Sequence, residues 1–287
     1  MLACAWCGSP LDERATRVAG RTRCARCGAA TADPWPSETE LAEAYGDWYR
    51  PPSGDRFTLA GDELLRRTRG ALARRLDAIA PPGPILDVGA GDGVLLDALA
   101  RRGREAVGLE RGDPPLETID REFAAVVFWH SLEHLPNPGE ALAHAARLLE
   151  PRGVLVVAVP NAASLQARAF GDRWLHLDPP RHLVHVSAPT LRAGLRRHGL
   201  TIERESHVRG GQIVIGWLDG LVGSLPGDRR LYQALRQADA RSAPISARDR
   251  SLTLVAGVAL FPVALAAAAL EVALRRGGSV YIEARRG

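Results

Sequence analysis

Lysine does not occur in this sequence, methionine occurs once, aromatic residues make up 5%, and the four cysteines all fall within the first 28 positions. All 37 basic residues are therefore arginine, set against 33 acidic ones for a formal charge of +4. In a chain this rich in Ala, Gly, Arg and Pro, that balance has the signature of a base-composition bias rather than of a patch selected for phosphate. Net charge is thus no argument for a nucleic-acid partner, and none is expected. No charged stretch followed by an apolar run precedes Cys4, so no secretory signal is expected and the expected compartment is the cytoplasm. There, clustered cysteines favour metal thiolates over disulfides. Hydrophobic residues at 46% of 287 allow one α/β domain of ordinary size with a small accessory module.

That module opens the chain. Cys4-x-x-Cys7, sixteen residues, then Cys24-x-x-Cys27 is the zinc-ribbon spacing, which offers four thiolates to a closed, structural zinc. Gly8 and Gly28, one after each pair, suit knuckles that turn backbone amides toward sulfur. A turn at Asp33–Ser37 leads into an acidic amphipathic stretch, Glu38–Tyr49, with Ser37 as its cap. Pro51–Asp55 closes the module, and a helix near Leu59–Ile79 follows, with Leu64, Leu65, Leu72, Leu76 and Ile79 on one face.

Pro84–Val88 reads as a short buried strand running into Gly89-Ala90-Gly91-Asp92-Gly93 and then a helix from Val94. The dinucleotide fingerprint needs its third glycine where Val94 stands, so an NAD-dependent oxidoreductase is disfavoured. Asp87, ending the strand, is placed to meet a positive group. Glu110, ending the next strand about 20 residues past the loop, is placed to accept from ribose hydroxyls. Ala124–Trp129 and Gly153–Val159 are further buried strands, with Leu200–His207 as a late strand and Ser279–Arg285 as an edge strand completing the sheet.

The residues Leu86-Asp87-Val88-Gly89-Ala90-Gly91-Asp92-Gly93, Leu132-Glu133-His134, Val159-Pro160-Asn161 and Pro180-Arg181-His182-Leu183 together resemble the class I S-adenosylmethionine (SAM)-dependent methyltransferase domain over Ile85–His207. The resemblance is to a bacterial subgroup with an N-terminal zinc ribbon and a Leu-Glu-His signature, and the ribbon followed by Pro36, Ser37, Glu40, Leu41 and Tyr45 extends it. It implies an α/β fold with a doubly wound Rossmann-like sheet, a small N-terminal zinc ribbon and a C-terminal apolar helical segment. It also implies SAM bound by Asp87, Gly89, Gly91, Gly93, Glu110 and His130, and an acceptor entering above the strand ends. One departure stands out: Arg111–Phe123 is too short for the helix and further strand that such domains fit there, so either an open adenine pocket or weakened SAM binding is expected.

His134 and His182 are the candidate catalytic bases, since a hydroxyl acceptor must lose its proton and imidazole titrates near neutrality. His182 and Arg181 serve equally well as residues that hold their loop by hydrogen bonds. His130-x-x-Glu133-His134 also spells an inverted zinc-protease motif, which needs both histidines on one helix face; Pro136 argues against that helix. A non-catalytic SAM-fold interaction protein is the other alternative.

The expected organisation is ribbon and linker helix over 1–55, SAM-binding core over 56–210, and a C-terminal region over 211–287. Within the last, Leu252–Leu270 carries no charge and is flanked by Arg248, Arg250, Arg275 and Arg276. Because the chain must return to the sheet and Pro262 interrupts the run, the expectation for residues 252–274 is a shallow two-armed hairpin or interfacial helix pair, aided by Ile213–Leu225. That points to peripheral or monotopic attachment at the inner face of the cell membrane and to a small or lipid-linked acceptor. A sugar or secondary metabolite is the analogy the subgroup offers.

Overall fold

A computed structural model describes residues 3–11, 16–51, 56–58, 61–208 and 211–287. Positions 52–55, where the expected boundary between ribbon and core falls, 59–60, where the expected helix to Ile79 begins, and 209–210, the last two of the expected core, lie outside the described residues. The strands are β1 (Arg17–Val18), β2 (Arg21–Arg23), β3 (Ala30–Ala32), β4 (Ile85–Val88), β5 (Ala106–Leu109), β6 (Phe123–Trp129), β7 (Leu149–Pro160), β8 (Val184–His185), β9 (Leu200–Ser206) and β10 (Ser279–Arg286). The helices are α1 (Glu38–Ala44), α2 (Gly61–Ile79), α3 (Val94–Ala100), α4 (Pro138–Arg147), α5 (Leu165–Phe170), α6 (Ala188–Arg197), α7 (Gly211–Gly223), α8 (Leu231–Ala234) and α9 (Ala247–Ala273).

Two sheets form. The larger has the order β5-β4-β6-β7-β10-β9, with β5, β4, β6 and β7 parallel and β10 antiparallel to both neighbours. Its middle strands read as unbroken apolar runs because both faces are covered. Leu72 and Leu76 of α2 and Leu95 and Leu99 of α3 pack on Ile85, Val127 and Val156 on one face. Leu142 of α4 and Leu191 and Leu195 of α6 pack with Leu86, Val126 and Leu155 on the other. This is the doubly wound sheet expected, with one correction: Ser279–Arg285 is not an edge. It lies between β7 and β9, pairing Val280 with Val159 and Ile282 with Glu205. It carries a buried acid, Glu283, and Arg75 holds both of its carboxylate oxygens, which lets the strand sit inside. At the opposite end the sheet stops at β5, and between β5 and β6 there is only a single 3-10 turn, Leu116–Thr118, as the short spacing required.

The cysteine module is built into this core. Its sheet has the order β1-β2-β3-β8, so the last strand comes from the loop beyond β7. Cys4, Trp6, Leu11 and Cys24 belong to the same buried cluster as Leu142 and Leu195. Trp6 lies so close to α4 and α6 that a Cβ on Gly139 would stand 2.0 Å from its carbonyl oxygen, and one on Gly194 2.7 Å from its ring.

The C-terminal apolar segment forms one 27-residue helix, α9, rather than two arms. Pro262 removes one backbone bond, but the carbonyl it frees belongs to Val258, the most exposed large apolar residue of the helix. On the other side Gly257 and Ala264 pack against α7 and α8, and the helix continues through the proline.

Candidate functional site

β4 ends in Asp87, and the chain then turns through Gly89, Gly91 and Gly93, with φ of 83°, 66° and 70°, into α3. Positive φ alone favours glycine at all three, but at Gly89 space decides as well: a Cβ there would meet the Ser131 Cβ at 2.4 Å. Ser131 is fixed by donating its hydroxyl proton to the Val88 carbonyl, so the β4 and β6 ends are held together directly under the loop. Asp87 is 3% exposed and one of its oxygens, Oδ1, has no hydrogen-bond partner among the described residues. Burial raises this carboxyl to about pH 7, with Arg69 opposing the shift. A buried, unsatisfied carboxylate facing a glycine cradle is a receptor for a cationic ligand group.

Glu110 follows β5 and accepts the Gly91 amide. Its other oxygen takes Arg50 Nη1 at 3.1 Å, and Arg50 also reaches Asp92 at 3.5 Å, while Arg56 reaches Asp92 at 3.1 Å. Arg50 and Arg56 therefore set two guanidiniums against the acids of the loop. Each carboxylate oxygen has a second lone pair, so Glu110 keeps acceptor capacity for a diol. Arg50 and Arg56 are site residues that carry no local motif.

All of this opens into a cavity of about 1170 Å³, beyond the roughly 300–1,000 Å³ of a single small-ligand pocket. Asp87, Gly89, Gly91, Glu110, His130 and His134 line it, together with Tyr45, Trp129 and Tyr281. His182 does not. The ring of His134 touches the edge of His182 at 4.6 Å, with His182 buried behind it. The carbonyl of His176 accepts from both His182 Nδ1 at 2.8 Å and His185 Nε2 at 2.7 Å. Burial keeps His182 neutral, well below the ordinary imidazole range, and holds His176 and His185 near 3. The reading of His182 as a catalytic base therefore gives way to a positioning role, for the physical reason that its ring is enclosed and its Nδ1 hydrogen is already given.

His134 Nδ1 lies 2.9 Å from the Tyr45 hydroxyl and 3.0 Å from the Arg181 carbonyl. A carbonyl only accepts, so Nδ1 carries a hydrogen, and in the neutral ring Nε2 is then the nitrogen able to take a proton. Arg181 grips Asp178 through two bonds, of 3.0 and 2.5 Å, donates to the Ala44 carbonyl and stacks over Tyr49 at 4.5 Å. The loop and the linker thus brace one another around His134. His130, at φ 55°, places Nδ1 3.4 Å from Glu133, which burial raises to about 7. The pentapeptide from His130 bends and ends in a 3-10 turn, Leu132–His134, so it does not present two histidines on one helix face and the protease reading fails.

In the cysteine module, the Cys4 and Cys27 sulfurs lie 3.6 Å apart, those of Cys7 and Cys24 3.8 Å, and all four within 4.8 Å of one another. Four sulfurs about 2.3 Å from a tetrahedral zinc stand about 3.8 Å apart, so the donor set and its spacing fit that ion.

Comparison with known proteins covers the same elements. A family model described as a methyltransferase domain matches residues 62–205, half of the chain. A ubiquinone biosynthesis O-methyltransferase of Saccharophagus degradans is 33% identical over 102 residues, 27% of this chain and 43% of that protein. One from Xylella fastidiosa is 30% identical over 171 residues, 47% of this chain and 70% of that protein. The chain spans about half the length of the curated relatives that head the comparison, 43% and 49% of two of them. Among solved structures, a SAM-dependent methyltransferase from Archaeoglobus fulgidus is 17% identical with a TM-score of 0.42, covering 77% of this chain and 94% of that one.

Proposed function

The chain belongs to the methyltransferase-domain family, and from that premise we propose that it transfers the methyl group of SAM to an oxygen of a small or lipid-linked acceptor. The observation that carries the reading is Asp87: buried, unsatisfied, beneath the glycine loop and opening into the same cavity as His134. When bound, SAM supplies an activated methyl on a sulfonium. Asp87 and Glu110 hold its cationic and hydroxyl groups, and Gly89 and Gly91 let the backbone come close. The O-methyltransferase relatives and a His134 whose Nδ1 is held by the Arg181 carbonyl both favour an acceptor hydroxyl, whose proton His134 Nε2 takes. Holding the acceptor oxygen in line with the methyl supplies much of the acceleration.

Cys4, Cys7, Cys24 and Cys27 hold a structural zinc, with no position left open for chemistry. The enzyme works at the inner face of the cell membrane as a peripheral protein. What supports this is the stripe Leu252, Val255, Val258, Phe261 and Leu265 on α9, every member of it exposed or nearly half so. Isothermal titration tests the central reading: micromolar binding of SAM and S-adenosylhomocysteine is expected, and binding of NAD alone would overturn it.

A further inference from the structure

Beyond Asp87 the cavity continues between α2 and β9, across the face of β10, and this half has its own chemistry. Glu283 of β10 is 1% exposed. It already accepts two bonds from Arg75, at 2.8 and 2.7 Å, and one from the Tyr281 hydroxyl at 2.7 Å. A buried carboxylate so served needs no second cation, yet Arg204 of β9 stands 4.0 Å away with a side chain more than half exposed. Two guanidiniums around one carboxylate leave one positive charge. A third guanidinium, Arg69, lies 4.9 Å over the Trp129 ring in the same cavity. Leu64 and Leu65 on α2 and Val208 just past β9 line the cavity as well, and Leu64 and Val208 remain more than half exposed.

We propose that the acceptor is amphipathic, with an acidic group, phosphate or carboxylate, bound between Arg75 and Arg204, and an apolar body along Leu64, Leu65 and Val208. This rests on the methyltransferase reading of the site and adds the class of molecule it takes. Guanidinium forks match both acids, and a low-dielectric wall strengthens the pairing.

The test is calorimetric titration of the full chain, with and without S-adenosylhomocysteine, using decyl phosphate, decanoate and decanol below their aggregation concentrations. At least one acidic probe is expected to bind about tenfold tighter than decanol, and the tighter of the two names the acid. Arg204→Gln should remove about tenfold of that affinity, the loss of one charge-assisted contact, while decanol binding and S-adenosylhomocysteine binding stay unchanged. Arg75 is left in place because it neutralises Glu283; Glu283→Gln should instead tighten the acidic probe. Acidic probes that bind no better than decanol, or equally well to Arg204→Gln, overturn the proposal even if S-adenosylhomocysteine binds. If S-adenosylhomocysteine fails to bind while the acidic probes respond to Arg204→Gln, the anion site stands and the methyltransferase reading falls.

Discussion

The Tyr45 hydroxyl lies 2.9 Å from His134 Nδ1, so the segment leading out of the cysteine ribbon ends in a hydrogen bond to the histidine proposed as the base. Ribbon, linker and reaction centre are thereby one mechanical unit. The ribbon strand β3 pairs with β8, directly after the loop whose Arg181 carbonyl completes the grip on His134.

If His134 is the base, His134→Ala should lower kcat by about 10²–10⁴ and leave the SAM dissociation constant unchanged. Tyr45→Phe keeps the ring and removes the bond, so about a tenfold fall in kcat is expected, again at constant SAM affinity. Steady-state rates paired with SAM titration check both. An undiminished kcat in His134→Ala would mean that positioning alone suffices.

What was legible in the sequence follows how far apart in the chain the cooperating residues lie. Asp87, Gly89, Gly91 and Glu110 fall within one strand-loop-helix-strand unit, where spacing dictates geometry, and the structure brings them to one cavity. Four cysteines in matched pairs were legible for the same reason. Arg50 bridges Asp92 and Glu110 from 42 and 60 positions away, and nothing local marks one arginine among 37. His182 has the right chemistry but the wrong surroundings, because the His176 carbonyl and the buried loop set its orientation. The place of β10 between β7 and β9 was illegible because an apolar strand bearing one acid reads alike at an edge or inside. Only the partner Arg75, 208 positions away, distinguishes them.

Asp87 predicts a pH dependence. Its folded pKa, about 7, is above the ordinary carboxylate value, so the apo fold is favoured by protonation there and loses that contribution as pH rises toward 7. Ligand binding runs the other way, since a cationic ligand needs the carboxylate. SAM affinity should therefore rise by up to about ninefold from pH 6 to pH 8, as the ionised fraction goes from about one tenth to nine tenths. Calorimetry at pH 6, 7 and 8 checks this, with Asp87→Asn as the control. The mutant should lose affinity and lose this component of the pH response; an identical profile in the mutant would assign the titration elsewhere.

Glu110→Ala should weaken SAM binding by about 1.5–3 kcal/mol, the value of a hydrogen bond to a charged acceptor. Arg50 then loses one of its two carboxylates and keeps Asp92. Titration calorimetry checks the affinity, and an unchanged dissociation constant would remove Glu110 from the cofactor site.

Metal removal should reach the active site. One zinc per chain is expected by metal analysis of freshly purified protein. Cys24→Ser, or stripping by a chelator, should unfold the ribbon and with it the β3–β8 pairing. Because Trp6 sits against Gly139 and Gly194, the damage is not confined to the first residues. The melting temperature and kcat should fall together. A stripped enzyme with full activity would show that the ribbon is dispensable for catalysis.

The last expectation concerns α9. At about 1.5 Å per residue its 27 residues extend about 40 Å, long enough to cross a hydrocarbon core of about 30 Å. Its ends argue against a crossing. Glu271, near the C-terminal end, is fully buried and accepts from the Gln166 amide at 3.0 Å, the Gln166 side chain at 2.8 Å and Trp217 Nε1 at 3.0 Å. The chain then enters β10 inside the sheet, and near the N-terminal end Arg250 donates to the Ala234 carbonyl. Both ends are therefore tied to the same body. One face, through Gly257, Ala264 and Ala268, lies against the protein, while the opposite stripe carries Val255 at 66% and Val258 at 77% exposure. A helix held in this way can lie in a membrane interface but cannot stand across it. The full chain should sediment with vesicles containing phosphatidylglycerol, and Val255→Glu with Val258→Glu should keep it in the supernatant with SAM affinity unchanged. Equal sedimentation of both proteins would remove this stripe as the membrane contact, and recovery of the full chain in the supernatant with and without vesicles would remove the contact altogether.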